Sequence, residues 1–309
     1  MARIYERMAV IGCGLIGSSV VRAAREVGAV GEIVVFDAGE DVRERVRELG
    51  LADRVALDPA DAVKDADLVL FATPVLAVGE AFKAAASSLA PGATITDVGS
   101  AKGAIAEALH DAAPKGVFVI PGHPIAGTER SGPDAGLAEL FENRWVILTP
   151  NDDASPEYAA AVETLSAFWR ALGSQVETMD VKHHDLVLAV TSHLPHLIAY
   201  NIVGTAADLE NVTQAEVMKY SAGGFRDFTR IAASDPTMWR DIFLANKDAV
   251  LEMLGRFTED LQALSRAIRW EEADKLHDIF TRTREIRRGI IALGQESPEP
   301  NFGRDRGKH

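Results

Sequence analysis

Residues 8–37 read MAVIGCGLIGSSVVRAAREVGAVGEIVVFD, and this stretch decides the fold of the first half of the chain. A short apolar run, Met8–Ile11, breaks into Gly12, Gly14 and Gly17, and an amphipathic pattern follows from Ile16 to Val27. A second apolar run, Ile33–Phe36, then ends in Asp37. Strand, Gly-x-Gly-x-x-Gly turn, helix and acid-tipped strand are the context in which a glycine fingerprint binds a dinucleotide. Gly12 permits the tight turn, Gly14 lets the backbone approach a pyrophosphate, and Gly17 lets the helix pack closely. The N–H groups that open the helix, at Leu15 and Ile16, face the anion. Asp37 lies about 20 residues beyond Gly17, where a carboxylate bonds the ribose hydroxyls and repels a 2′-phosphate, which favours NAD over NADP. FAD is the alternative, but nothing else in the chain resembles a flavin domain. Cys13 reads as a small filler beneath the cofactor, because nothing beside it in sequence lowers its pKa.

Outward from this stretch, apolar runs alternate with helical patterns as far as about residue 180, the signature of a parallel sheet wrapped by helices. The strand candidates are Met8–Ile11, Ile33–Phe36, Leu68–Ala72, Thr94–Asp97, Val117–Ile120, Trp145–Leu148 and Gln175–Thr178. Thr73-Pro74 shapes a loop edging the nicotinamide half, and Ser155-Pro156 is a cap and first-turn pair for the helix that runs to Leu172. Beyond Val181 the patterns are helical, broken at Pro195, Gly223-Gly224 and Asp235-Pro236. The expected organisation is an α/β Rossmann-type doubly wound domain over 1–180, an all-helical dimerisation and substrate domain over 181–295, and a disordered tail over 296–309. The most apolar segment, Leu186 to Ala207, is interrupted by Ser192, His193, Pro195, His196 and Asn201, and reads as a buried helix.

Composition narrows the function classes. The chain has 309 residues, 47% hydrophobic and 25% charged, which is the balance of a globular protein of two domains. A net charge of -14 argues against nucleic acid or an anionic membrane as partner, since a diffuse negative field repels both. The single cysteine leaves no disulfide within the chain and fits a reducing cytoplasm. The N-terminus has too short an apolar stretch for a signal peptide or a membrane span.

Removing hydride from a carbon that bears a hydroxyl requires a base for the hydroxyl proton, and histidine suits this near neutral pH. Of eight histidines, His110 and His277 sit in polar helical contexts, His309 in the tail, and His183 and His184 at a charged junction, positions typical of surface or core-edge residues. His123 follows the strand Val117–Ile120 within Gly122-His123-Pro124, at a carboxyl end where open α/β sheets place their ligands. Ser100 follows the preceding strand and can reach the same rim. Between Lys219 and Lys247 stand five basic residues, Lys219, Arg226, Arg230, Arg240 and Lys247, against Asp227, Asp235 and Asp241. This is either helix-surface salt bridging or a carboxylate pocket, to which arginine's fork is matched. His193 and His196 share one helix face, but a zinc site lacks further ligands.

The pieces GCGLIGSS, DVGSAKG, GHPIAGTE, SHLPH and GGFRDFTRIAASDPTMW, in this order, resemble the prephenate and arogenate (cyclohexadienyl) dehydrogenase family across about residues 8 to 290. The resemblance implies an NAD-dependent oxidoreductase of tyrosine biosynthesis, which oxidises a cyclohexadiene alcohol and lets the ring lose carbon dioxide. It implies that His123 accepts the ring-hydroxyl proton with support from Ser100, and that His193 and Arg230 bind substrate. His196, Thr128, Gly223, Asp227, Ser234 and Trp239 occupy motif positions that line or brace the same pocket. It also implies a homodimer of interlocked helical domains. The alternatives are a β-hydroxyacid dehydrogenase, whose helical-domain lysine motif is missing here, and a non-catalytic NAD-binding regulator, which needs no base.

Overall fold

The computed structural model describes residues 3–128, 130–208 and 223–292. Lys219 and the segment 296–309, both assigned from sequence above, lie outside the described residues. The chain divides into two compact units between Leu251 and Glu252.

The first unit is built on six parallel strands, β1 (Tyr5–Ile11), β2 (Val30–Phe36), β3 (Arg54–Val55), β4 (Leu68–Phe71), β5 (Thr94–Asp97) and β6 (Phe118–Val119), in the order β3-β2-β1-β4-β5-β6. β1 lies at the centre, with Met8 opposite Ile33 of β2 and Leu68 of β4. Alternate residues of a strand point to opposite faces, and both faces are covered. Met8 and Val10 join Val20, Val21 and Trp169 in one core layer. Ala9 and Ile11 join Phe71, Phe82 and Ile105 in the other. Burial on both faces is why these strands read as continuous apolar runs.

Trp145–Leu148 and Gln175–Thr178 form strands, as the sequence predicts, but not in the parallel sheet. They are β8 and β9 of a separate three-stranded sheet that begins with β7 (Gly122–Pro124). β7 runs antiparallel to β8, and β8 is parallel to β9. His123 is therefore not a loop residue following a strand; it is the middle of β7, opposite Ile147. Pro124 hides this strand in the sequence, and it is tolerated because β7 is an edge strand whose outer N–H has no ladder to join. β3 escapes notice because only two residues pair.

Local chemistry sets the helix ends. Ser155 caps the helix Pro156–Ala171 by accepting the Tyr158 N–H. Asp180 does the same for His183 at the start of the helix Val181–Leu188. That helix passes through a wide turn, Ala189–His193, into Leu194–Ala207. Pro195 explains the widening, since its ring cannot fit against the Thr191 carbonyl of a regular helix and it has no N–H to donate. The Leu186–Ala207 segment is not the buried helix that its composition suggests. Leu186, Val190, Ile202 and Val203 are exposed on the protomer. Helix Pro236–Ala245, capped by Asp235, buries Trp239 and Ile242 in the second core layer of the sheet. The second unit holds most of helix Lys247–Arg269 and helix Ala273–Ala292, with Leu261, Ile268, Trp270, Phe280 and Ile286 exposed.

Candidate active site

The glycine loop is shaped to receive a dinucleotide. Gly12 has φ +97°, and a Cβ there would lie 2.7 Å from the Ala72 carbonyl carbon, so only glycine fits between β1 and the end of β4. A Cβ on Gly17 would stand 2.1 Å from the Gly12 carbonyl oxygen, which fixes how closely the helix Leu15–Val27 sits on the loop. A Cβ on Gly14 would meet nothing within 4 Å. The backbone is thus open where a pyrophosphate must approach, beside the unpaired N–H groups of the helix start at Leu15 and Ile16.

Asp37 sits at the tip of β2, with one oxygen accepting the Cys13 N–H (2.8 Å) and the other the Gly39 N–H (2.9 Å). The carboxylate is held at the edge of the loop. Cys13 is fully buried, and burial, reinforced by the Asp37 charge, pushes its thiol up to about 12. That is a filler rather than a nucleophile. Thr73 and Pro74 follow β4 at the same carboxyl edge, Thr73 half-buried and Pro74 exposed.

The chemistry concentrates where β5, β7 and the helix Val181–Leu188 meet. His123 Nδ1 lies 2.9 Å from His184 Nε2, and His184 Nδ1 lies 2.9 Å from Asp185 Oδ1. Asp185 also accepts the Lys102 N–H on Oδ1 (2.7 Å) and the Gly103 N–H on Oδ2 (2.8 Å), at the start of helix Gly103–Ala112. These contacts fix every proton in the chain. A carboxylate only accepts, so His184 carries its proton on Nδ1; its bare Nε2 must then receive the proton of His123 Nδ1. The outcome is a His123 whose Nε2 is unprotonated, the form a general base requires.

Burial lowers the His123 pKa well below 6.5, and the nearby His184, Lys102 and His193 add to the effect. Burial also lowers His184, against the opposing hydrogen bond from Asp185. For Asp185 burial alone would raise the pKa, but the hydrogen bonds from His184 and the amides of Lys102 and Gly103 outweigh it and hold the carboxyl below its ordinary value.

A buried ion pair braces this arrangement. Lys102 and Asp97 are both fully buried and bonded to each other through Nζ and Oδ2. Lys102 Nζ also donates to the Gly122 carbonyl (2.7 Å), and Asp97 accepts the N–H groups of Gly99 (2.7 Å) and Gly122 (3.2 Å). The end of β5 is thereby stitched to the start of β7, one residue before His123. Removing either partner would leave a buried charge uncompensated.

A second histidine group adjoins the first. His193 is fully buried, and its Nε2 has no hydrogen-bond partner among the described residues. The Ser100 backbone lies close enough to act on its pKa as a hydrogen-bonding carbonyl does, which sets the backbone of Ser100, rather than its hydroxyl, beside His193. His196 stacks on Trp239 with ring centroids 3.6 Å apart, and donates from Nδ1 to the Ser192 carbonyl (2.8 Å). Burial, with the Arg230 charge adding, lowers the His196 pKa. Arg230 thus stands near this group, whereas Arg226 and Arg240 pair with their neighbours Asp227 and Asp241. Lys247 pairs with Asp248 in the same way, and Arg230 is not without a partner either.

Other predicted positions stand further out. The Ser234 hydroxyl donates to the Ile231 carbonyl (2.8 Å), while the Ser234 carbonyl accepts the Tyr200 hydroxyl (2.7 Å), which makes this residue a brace. Thr128 is exposed beyond β7 and accepts the Arg130 N–H (3.2 Å). Gly223 opens an exposed helix where a Cβ would meet only Asp227 at 3.7 Å, so no close approach demands glycine.

The sequence reading set His184 aside as a peripheral histidine; the structure places it, fully buried, between His123 and Asp185. It also passed over Lys102, Asp97, Asp185 and Asn246. Lys102 and Asp97 lie within DVGSAKG, a segment already singled out, and a lysine in an apolar strand-to-helix turn is the signal that could have drawn attention to them.

Comparison with known proteins agrees with this architecture. Residues 20–178 match the family model "Prephenate dehydrogenase, nucleotide-binding domain", and residues 180–282 match "Prephenate dehydrogenase, dimerization domain". The chain belongs to the prephenate dehydrogenase family. It is 43% identical to a cyclohexadienyl dehydrogenase of Zymomonas mobilis over 92% of this chain and 96% of that protein. It is 33% identical to a prephenate dehydrogenase of Bacillus subtilis over 98% of this chain and 80% of the relative. Among solved structures, a prephenate dehydrogenase from A. aeolicus in complex with hydroxyphenyl propionate and NAD+ superposes with a TM-score of 0.84 at 34% identity, covering 92% of this chain and 98% of the other. In this family member, the four histidines 123, 184, 193 and 196 gather in the first unit, beside the carboxyl edge that carries the glycine loop.

Proposed function

We propose that this chain oxidatively decarboxylates prephenate to 4-hydroxyphenylpyruvate, arogenate to tyrosine, or both, using NAD. The observation that carries the mechanism is the hydrogen-bond chain Asp185–His184–His123, which leaves a bare Nε2 on a buried histidine beside the strand ends. His123 takes the proton of the ring hydroxyl on Nε2, and the positive charge that results is spread through His184 toward Asp185. Gly12, Gly14, Gly17 and the helix start at Leu15 and Ile16 would hold NAD, with Asp37 as the residue for its ribose and Thr73 and Pro74 flanking the site, and the bound cofactor would supply the acceptor for the hydride of the carbinol carbon. The ring carbonyl so formed draws in the electron pair of the carbon–carboxylate bond, carbon dioxide leaves, and the ring becomes a phenol. No acid catalyst is needed, because aromatisation drives the step.

Ser100, beside His193, orients the substrate hydroxyl. The substrate brings carboxylate charge into a chain of net charge -14, and Arg230 supplies the local cation that receives it. His193, His196 and Trp239 line the same pocket, with Thr128, Ser234 and Gly223 at its margin. We place the functional boundary near residue 180, with a dinucleotide half over 1–180 and a helical half over 181–295 that binds substrate and dimerises. The match of residues 180–282 to a dimerization domain supports a homodimer, as do the exposed apolar side chains of the helix Val181–Ala207. The single cysteine supports a reducing, cytoplasmic setting. Steady-state assays of the purified protein with prephenate and arogenate, each with NAD and NADP, test the proposal. Absence of turnover with either substrate refutes it, and light scattering at micromolar concentration that shows a fully active monomer refutes the dimer.

A further inference from the structure

Asn246 ends the helix Pro236–Ala245 and is buried. Its Nδ2 lies 2.8 Å from the Asp185 carbonyl oxygen. A carbonyl oxygen can only accept, so this contact fixes which way the amide points. The same Nδ2 lies 3.0 Å from His193 Nδ1. Its second proton is therefore directed at a ring nitrogen that must be bare. A neutral imidazole with a bare Nδ1 carries its proton on Nε2. That Nε2 is buried and has no hydrogen-bond partner within the distance and angle of a hydrogen bond among the described residues.

We propose that Asn246 is a positioning residue that fixes the tautomer of His193, so that His193 meets an oxygen of the substrate as a neutral Nε2–H donor. The donation to substrate rests on the function proposed above; the tautomer does not. The groups that act on His193 are consistent with a neutral ring. Burial takes its pKa to about 4, with His184 and His196 pushing the same way, against Asp185 and the Ser100 backbone. Neutrality also serves the base, because His193 already depresses His123, and a full charge there would depress it further. His196 has the opposite polarity, since its Nδ1–H is spent on the Ser192 carbonyl and its Nε2 is bare. Of the two neighbouring histidines, His193 is the donor.

The decisive measurement is long-range nitrogen–proton NMR of the full-length protein labelled with ring-¹⁵N histidine, with His193 assigned through His193→Asn. In the wild type at neutral pH, the expected pattern is one bare Nδ1 and one protonated Nε2, with the Nε2–H resonance moving when NAD and hydroxyphenyl propionate are added. In Asn246→Asp, the carboxylate accepts where the amide donated, so His193 should protonate Nδ1 and lose the wild-type pattern. KM for prephenate should then rise roughly ten- to hundredfold with kcat changed far less, the loss of one hydrogen bond to a charged group. A wild-type His193 protonated on Nδ1 overturns the proposal, whether or not Asn246→Asp folds. In a protein that turns over prephenate or arogenate, so does a wild-type KM in Asn246→Asp, or an Nε2–H that does not respond to the two ligands. The correct tautomer in a protein that turns over neither substrate would instead overturn the function and leave the role of Asn246 standing.

Discussion

Substituting Asp185 by asparagine tests the proton chain on which the proposed role of His123 as a base depends. In the wild type, Oδ1 accepts from His184 Nδ1 (2.9 Å) and the Lys102 N–H (2.7 Å), and Oδ2 accepts from the Gly103 N–H (2.8 Å). Asparagine offers one acceptor and one donor for these three protons. If its oxygen faces His184, its NH2 points at the Gly103 N–H, and one backbone donor is left unmet. If its NH2 faces His184, it forces His184 Nδ1 to be bare and Nε2 to carry the proton. His123 Nδ1 must then accept, its own proton moves to Nε2, and the base is blocked. Either arrangement leaves a buried N–H without its partner, at a cost of about 1–3 kcal/mol. The second also removes general-base catalysis, worth roughly 10²–10⁴ in turnover. The expected Asp185→Asn enzyme is folded, binds NAD normally and has kcat lowered by about two to four orders of magnitude. Thermal denaturation, NAD titration and steady-state kinetics give the three readings. A kcat within threefold of wild type in a variant whose His184 is shown by ring-nitrogen NMR to have lost the proton on Nδ1 would show that His123 does not depend on this chain. Because the Asp185 pKa is held low in the folded protein, its contribution to stability is present above the ordinary carboxylate range and is lost as pH falls through the lowered value. Asp185→Asn should remove that part of the acid sensitivity.

Three further outcomes follow from the same geometry. His123→Asn should lower turnover by about 10²–10⁴-fold with cofactor binding intact. In the wild type the acidic limb of kcat/KM should lie well below pH 6.5, because the base is protonated only there, and the variant should lose that limb. Asp37→Ala should narrow the preference for NAD over NADP, read as the ratio of kcat/KM values, and equal efficiency with both cofactors in the wild type would refute the role of Asp37. Arg230→Ala should raise KM for prephenate roughly 10–150-fold with NAD affinity nearly unchanged, and Arg230→Lys should recover only part of the loss. An unchanged KM would release Arg230 from substrate binding.

How much was legible in the sequence depended on how local each cause was. The fingerprint Gly12, Gly14 and Gly17, the tip position of Asp37 and the cap at Ser155 are decided by residues within a turn or two, so spacing alone reveals them. The two-sided burial of β1, β2 and β4 is equally plain, because continuous apolar runs answer to a sheet covered on both faces. His123 was found by its place at a strand end, although Pro124 concealed that it lies within a strand itself.

The rest was settled by contacts between distant segments. His184 sits 61 residues from His123, and Asn246 is 53 from His193. Nothing beside His184 in sequence separates it from the exposed His183; one turn of the helix Val181–Leu188 points the first inward and the second outward. The buried pair of Lys102 and Asp97 is likewise invisible until β5 is stitched to β7. The protonation state of an imidazole is set by whatever faces its other nitrogen. The sequence therefore determined that a dinucleotide fold and a set of candidate histidines exist, and the tertiary structure alone decided which ring nitrogens are bare and which carry the protons.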